Sequence, residues 1–279
     1  MDILEQIIET KRQELSFGKR RSLKQALLAS ETGIIAEFKR KSPSKGWIHA
    51  DAFPEEVVPA YAAAGATALS ILTDQQYFGG SLDFIRRVRP LVDIPILRKD
   101  FIIDPYQLYQ AREAGADAVL LIAACLSREA FAALLAEAHR LGLEVLLEVH
   151  SPEELDYITP DVDVVGVNNR HLGSFVTDVQ TSFDMMEEIR RSSRRMTGEG
   201  QANNTSSADL IGGSPSAGLE EMPDQVGHDG MVFISESGIS SPDTVRQLRE
   251  AGYRGFLMGE NFMKQPDPGA ALADFIQAI

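Results

Sequence analysis

ILRKDFIIDPYQLYQAREAGADAVLLIA, residues Ile96 to Ala123, contains one full repeat of the pattern that decides the fold. Ile96 to Phe101 opens on an aliphatic pair and is too short for a typical helix but the right length for a strand. Pro105 to Ala114 reads as an amphipathic helix that starts on a proline and stops at Gly115, where a left-handed cap is available only cheaply to glycine. Ala118 to Ala123 is an apolar run. The stretch is therefore strand, helix, strand, the unit from which parallel sheets are built.

Outward from it the same unit recurs. Strand candidates are Ile34 to Lys39, Ala68 to Thr73, Ile96 to Phe101, Ala118 to Ala123, Glu144 to His150, Val164 to Asn168, Met231 to Ser235 and Gly255 to Met258. Helical stretches lie between them, among them Phe53 to Ala64, Arg128 to Leu141 and Pro242 to Ala251, and "AGA" or "AGY" stands at Gly65, Gly115 and Gly252. A doubly wound open sheet is the alternative, but eight near-equal units ending in a helix predict a closed (β/α)8 barrel, an α/β TIM barrel.

Two regions fall outside the repeat. Residues 1–32 read as a short N-terminal helical extension, with Ile3, Leu4, Ile7 and Ile8 as an apolar stripe expected to pack on the barrel. Residues from about 192 to 229, rich in Ser, Gly, Asn and Asp, read as a flexible insertion between helix 6 and strand 7. A segment joining a helix to the next strand belongs to the face opposite the active site. The expectation is one barrel domain over residues 1–279.

Composition narrows the function. With 44% hydrophobic and 24% charged residues the chain can bury a large core. Its net charge of -14 argues against nucleic acid or an anionic membrane as partner, because both demand a basic surface. An anionic substrate would need cations gathered locally. The single cysteine, Cys125, allows no internal disulfide and no cysteine-rich metal site. The start has no signal-peptide pattern and no segment approaches about 18 apolar residues, so a cytoplasmic location is expected and the sequons at Asn203 and Asn204 are read as incidental.

Charges sit where an apolar strand should have none. Glu37 and Lys39, Lys99, Glu148, then Asn168 with Arg170, and Glu236 with Ser237 all fall toward the C-terminal ends of strand candidates, the catalytic mouth of a parallel barrel. Residues two apart share a face, so Glu37 and Lys39 point together, as do Lys99 and Phe101. Buried charges must pair or serve chemistry. An ion-pair plug in the barrel is the bland reading, and convergence of four such side chains at one end favours a site. Ser237-Gly238 and Gly259-Glu260 follow strands seven and eight, where backbone N–H groups often hold phosphate. No Walker loop, dinucleotide fingerprint or HExxH occurs, and His49, His139, His171 and His228 show no ligand spacing. His150 can reach the mouth, although a structural histidine is commoner at a strand end.

IAEFKRKSPSKG (Ile35 to Gly46), ILRKDFIID (Ile96 to Asp104), LLEVH (Leu146 to His150), GVNNR (Gly166 to Arg170) and SESGI (Ser235 to Ile239) together resemble the indole-3-glycerol-phosphate synthase family across nearly the whole barrel. The resemblance implies conversion of 1-(2-carboxyphenylamino)-1-deoxyribulose 5-phosphate to indole-3-glycerol phosphate in tryptophan biosynthesis, with no metal and no organic cofactor. By that resemblance Lys99 is the general acid and Glu148 the base. Lys39 is a second active-site lysine, and Glu37 and Asn168 orient the lysines and the substrate chain. Ser42, Pro43 and Arg170 surround the anthranilate, and Phe78, Phe101 and Leu120 form an apolar wall. Ser237, Gly238, Gly259 and Glu260 form the phosphate loop, although many relatives have serine where Glu260 stands, so its carboxylate must turn away. A small anionic sugar phosphate is the implied partner of a monomer, with association among tryptophan-pathway enzymes compatible. The rivals are a different sugar-phosphate enzyme on the same barrel and a binding protein without catalysis. An isomerase of that kind would want an early catalytic cysteine, and a dead binder should have lost the acid or the base.

Overall fold

The computed structural model describes residues 2–15, 20–171, 173, 176–196 and 230–279. Eight parallel strands form its centre: β1 (Ile34–Phe38), β2 (Ala68–Leu72), β3 (Ile96–Lys99), β4 (Ala118–Ile122), β5 (Glu144–Val149), β6 (Val164–Asn168), β7 (Val232–Glu236) and β8 (Gly255–Met258). Each pairs with the next in sequence, and β8 pairs with β1 through Ile35 opposite Leu257, which closes the barrel. Helices join the strands and form the outer layer: α3 (Pro54–Ala63), α4 (Gln75–Phe78), α5 (Leu82–Val88), α6 (Pro105–Ala114), α7 (Arg128–Leu141), α8 (Gln180–Met196), α9 (Pro242–Glu250), α10 (Glu260–Met263) and α11 (Pro268–Gln277).

The expected punctuation has visible partners. In α6, the Asp104 carboxylate accepts the Tyr106 N–H at 2.8 Å while the Gln107 side chain accepts the Asp104 N–H at 3.1 Å, satisfying two backbone donors that the first turn leaves over. Gly115 ends that helix at φ +96°.

Alternation along the strands builds two cores. Ile34, Ala36 and Phe38 face outward and join the layer under the helices with Val58, Tyr61, Leu108, Leu134 and Leu248. Ile35, Ala68, Leu97, Ala118, Leu120, Leu146, Val164, Ile234 and Leu257 fill the interior, so the barrel is a packed core at mid-height.

Two helices precede the barrel, α1 (Ile3–Leu15) and α2 (Leu23–Ala29). The expectation that the stripe of α1 packs on the barrel is corrected: Ile3 is 72% exposed and Ile8 41%. The extension is anchored by α2 instead. Its Leu23 and Leu27 are fully buried among the interior residues and stop the N-terminal end of the barrel. Ser22 caps α2 by accepting the Gln25 N–H at 3.0 Å, and Glu144 at the foot of β5 accepts the Lys24 N–H at 2.9 Å. The sequence signal for α2 is short, about two turns with only Leu23, Leu27 and Leu28 as large apolar residues, whereas α1 has the cleaner periodicity. Of the expected insertion, residues 197–229 lie outside the described residues, as do Asn203 and Asn204. What flanks them is the end of α8 and the start of β7, the N-terminal side of the barrel.

Candidate active site

Above the apolar interior, the inward positions turn charged. Glu37 continues the face of Ile35 on β1, Lys99 that of Leu97 on β3, Glu148 that of Leu146 on β5, and Glu236 that of Ile234 on β7. They surround the floor of a cavity of about 320 Å³ that opens at the C-terminal ends of the strands. Glu37, Glu148 and Glu236 are all under 5% exposed, so their charges are balanced inside the protein or not at all.

Lys99 is the hub. Its Nζ lies 2.9 Å from Glu148 Oε2 and also donates to Glu236 Oε2. Lys39, just past β1, makes a separate pair with Glu37 Oε1 at 2.6 Å. Burial alone would lower the pKa of Lys99, but Glu148, Glu236 and Glu37 outweigh it and hold the ammonium well above its ordinary value. For Glu148 burial works upward, and Lys99 with His150 more than offsets it, so the carboxylate stays ionised below the usual range. Glu37 is likewise lowered against its burial by Lys39, Lys99 and Arg170. Glu236 goes the other way: burial and the neighbouring Glu148 and Glu37 charges exceed the help from Lys99 and raise it.

Two glycines make room for these carboxylates. A Cβ on Gly166 of β6 would stand 2.2 Å from Glu236 Oε1, and one on Gly259 would stand 2.8 Å from Glu37 Oε1. Side chains at either position would push a charged group out of place.

The wall and rim gather the other expected residues. Pro43, Phe78, Phe101, Leu120, Asn168, Arg170, Ser237, Gly238, Gly259 and Glu260 all line the cavity, with Phe78 and Phe101 rings 6.2 Å apart. Ser42 does not: it is buried beneath the loop, where its hydroxyl accepts the Lys45 N–H at 3.2 Å. Ser237 and Gly238 both adopt left-handed backbone, φ +67° and +78°, which turns the chain sharply after β7. Asn169 fixes that turn from behind, donating to Ser237 O and to Ser235 Oγ at 3.0 Å each and accepting the Ser182 N–H at 3.0 Å. Of the adjacent pair Asn168-Asn169, one side chain thus serves the cavity and the other its scaffold. The Glu260 carboxylate pairs with Lys45 Nζ at 2.5 Å, and both residues line the rim of the cavity.

Glu236 stands at a strand end with no role implied by the sequence, and Lys45 and Lys264 on the rim are not among the expected site residues. The alternation of β7 put Glu236 inward, a signal available from Ile234 and Glu236 alone. Lys45 had no such signal, because loop residues carry no period. Lys39, Lys45, Lys99, Arg170 and Lys264 do concentrate cations here, interleaved with Glu37, Asp74, Asp100, Glu148, Glu236 and Glu260. Arg170 Nε is buried without a hydrogen-bond partner among the described residues. Among those residues no cluster of metal-ligating side chains occurs, and no helix is long and apolar enough to cross a membrane.

A lysine flanked by carboxylates, beside an apolar wall and two glycine turns, is equipped to protonate an oxygen, remove a proton and hold an anion. The family model described as Indole-3-glycerol phosphate synthase matches residues 3–210 and 217–275. The chain is 51% identical over 295 residues to the indole-3-glycerol phosphate synthase of Bacteroides thetaiotaomicron, covering 100% of this chain and 99% of that protein. It is 38% identical over 256 residues to the one of Carboxydothermus hydrogenoformans, covering 90% and 83%. Among solved structures, tryptophan synthase subunit alpha from Legionella pneumophila superimposes with a TM-score of 0.57 at 14% identity, covering 94% of this chain and 99% of that one. Thiamine phosphate pyrophosphorylase from Pyrococcus furiosus gives 0.55 at 15%, covering 90% and 96%. At those identities the likeness concerns the barrel alone.

Proposed function

The chain belongs to the indole-3-glycerol phosphate synthase family, and from that premise we propose how its residues divide the family's chemistry. The reaction closes the indole ring of 1-(2-carboxyphenylamino)-1-deoxyribulose 5-phosphate with loss of carbon dioxide and water, a decarboxylating lyase step of tryptophan biosynthesis.

Lys99 is the general acid. As the aromatic carbon attacks the ribulose carbonyl, that bond's electron pair moves onto oxygen. The developing alkoxide is a far stronger base than Glu148 or Glu236, so the proton that three carboxylates retain on Lys99 goes to the substrate. A positioned acid of this kind contributes about 10²- to 10⁴-fold. Loss of carbon dioxide then returns its bonding electrons to the ring, and the new hydroxyl leaves as water with a proton from the Lys39 ammonium while Glu148 takes the proton from the adjacent carbon, which makes the indole aromatic. Lys39, held by Glu37, faces the substrate's anionic groups, and Asn168 its hydroxyls. Arg170, whose Nε has no hydrogen-bond partner among the described residues, takes the anthranilate carboxylate, while Pro43, Phe78, Phe101 and Leu120 enclose the ring. The turns at Ser237-Gly238 and Gly259-Glu260 hold the phosphate through backbone N–H groups, with the charge of the Glu260 side chain balanced by Lys45.

The observation that carries this assignment is the placing of Lys99 Nζ at 2.9 Å from Glu148 on the floor of the cavity. Lys99→Ala is the test. Indole fluorescence should show kcat reduced by at least about 10²-fold, with phosphate-analogue affinity kept within a few-fold because the lysine acts in the transition state. Unimpaired turnover in that variant would remove Lys99 from the mechanism. The same reading places the enzyme in the cytoplasm as a monomer without a nucleic-acid partner, in keeping with a single cysteine and a net charge of -14.

A further inference from the structure

His150 follows the last residue of β5 and has no part in the assignment above. Its side chain is only 8% exposed and lies between two carboxylates, with Nε2 3.2 Å from Glu148 Oε1 and Nδ1 3.5 Å from Glu154 Oε2. Glu154 belongs to the 3-10 segment Pro152–Tyr157, nearer the surface, and is itself fixed because it accepts the His150 backbone N–H at 2.7 Å. The other oxygen of Glu148 faces Lys99. Each oxygen of this carboxylate therefore faces its own nitrogen, the His150 contact being an ion pair by distance without hydrogen-bond alignment among the described residues. Cys125, after β4, is a further titratable group in the neighbourhood; burial and then the charges of Glu148 and Glu154 raise its thiol, so it stays neutral beside them. Burial disfavours a charged imidazole here, yet the two carboxylates outweigh it and push His150 up to about 9.

We propose that His150 is a positioning residue for Glu148: an imidazolium clamped between Glu154 and Glu148 that fixes one carboxylate oxygen and leaves the other to pass from Lys99 to the substrate. The need for it arises within the reaction. When Lys99 gives its proton to the substrate oxygen, Glu148 loses the positive charge on that side while still buried. A buried carboxylate without a cation is driven toward its neutral form, and a neutral Glu148 cannot act as base. His150 supplies the second cation through that interval, and Glu154 keeps His150 charged. The inference rests on the reading of Glu148 as the base.

Two measurements test it. Nitrogen-15 NMR of the full-length protein should show His150 with both ring nitrogens protonated at pH 7.5, and Glu154→Gln should move its titration to lower pH. In His150→Gln the acid limb of the kcat profile should move up by about one pH unit, with kcat lowered at neutral pH and KM changed less than kcat. Glu154→Gln, further from the substrate, should shift the limb the same way by less. A neutral His150 at pH 7.5 in the parent protein, or an unmoved acid limb in a folded His150→Gln, would overturn the proposal. Normal turnover in Glu148→Gln would instead remove the base assignment, a separable outcome because the NMR signal does not depend on turnover.

Discussion

Gly166 has no functional group, yet it decides where a buried carboxylate of the cavity floor sits. A methyl group there would meet Glu236 Oε1 at 2.2 Å, well inside any tolerable contact. Gly166→Ala must therefore turn Glu236 away from Lys99 or spread β6 from β7. Overpacking of this kind destabilises by about 1–3 kcal/mol, and Lys99 loses one of the carboxylates that hold it. Urea denaturation should show the stability loss, and the indole assay should show kcat falling more than KM changes. An alanine variant of parental stability and turnover would mean that Glu236 has room the structure does not contain. A glycine in a strand reads in a sequence only as a weak spot, because the side chain it spares comes from the next strand.

At the scale of elements, the strands were the most legible part of the chain. Each is a short run whose inward and outward residues mostly face apolar layers, and apart from Glu144 at the foot of β5 the charges interrupt the run where the barrel opens to its mouth. Pro105 and Gly115 bound α6 where the sequence predicts, since proline and glycine act through local backbone geometry. Less legible were elements whose partner is remote. The stripe on α1 predicts burial by its period, but α2 makes the tertiary contact through Leu23 and Leu27, and nothing local distinguishes a helix that finds a hole from one that does not. Leu27→Ala opens a cavity between α2 and the interior leucines and should cost about 2–5 kcal/mol. Because Leu27 lies at the end remote from Lys99, kcat of the folded fraction should be unchanged while the urea midpoint drops. A lowered kcat with stability intact would show that the two ends of the barrel are coupled.

At the scale of the whole molecule, four displaced titrations meet at the mouth of the barrel, and the sign of each sets its share of how stability follows pH. Glu37 and Glu148 are lowered, so the stability they confer is present above the ordinary carboxylate range and is lost as acid protonates them in the folded state. Glu236 is raised, so folding is favoured by its neutral form and that contribution is lost as pH rises beyond the ordinary range. His150 is raised from 6.5 to about 9, so its contribution is full below 6.5 and disappears as pH climbs through about 9. The lowered carboxylates act on the acid side, and on the alkaline side Glu236 and His150 act in the same direction. Stability measured by urea should therefore peak at mildly acidic pH and fall between pH 6.5 and 9, by on the order of 1–3 kcal/mol for the histidine. In His150→Gln most of that alkaline slope should vanish while the fall in acid remains, since Glu37 keeps its lysine. A flat profile in the parent over pH 6.5 to 9, or an undiminished slope in the variant, would place the pH sensitivity of this barrel somewhere other than its mouth.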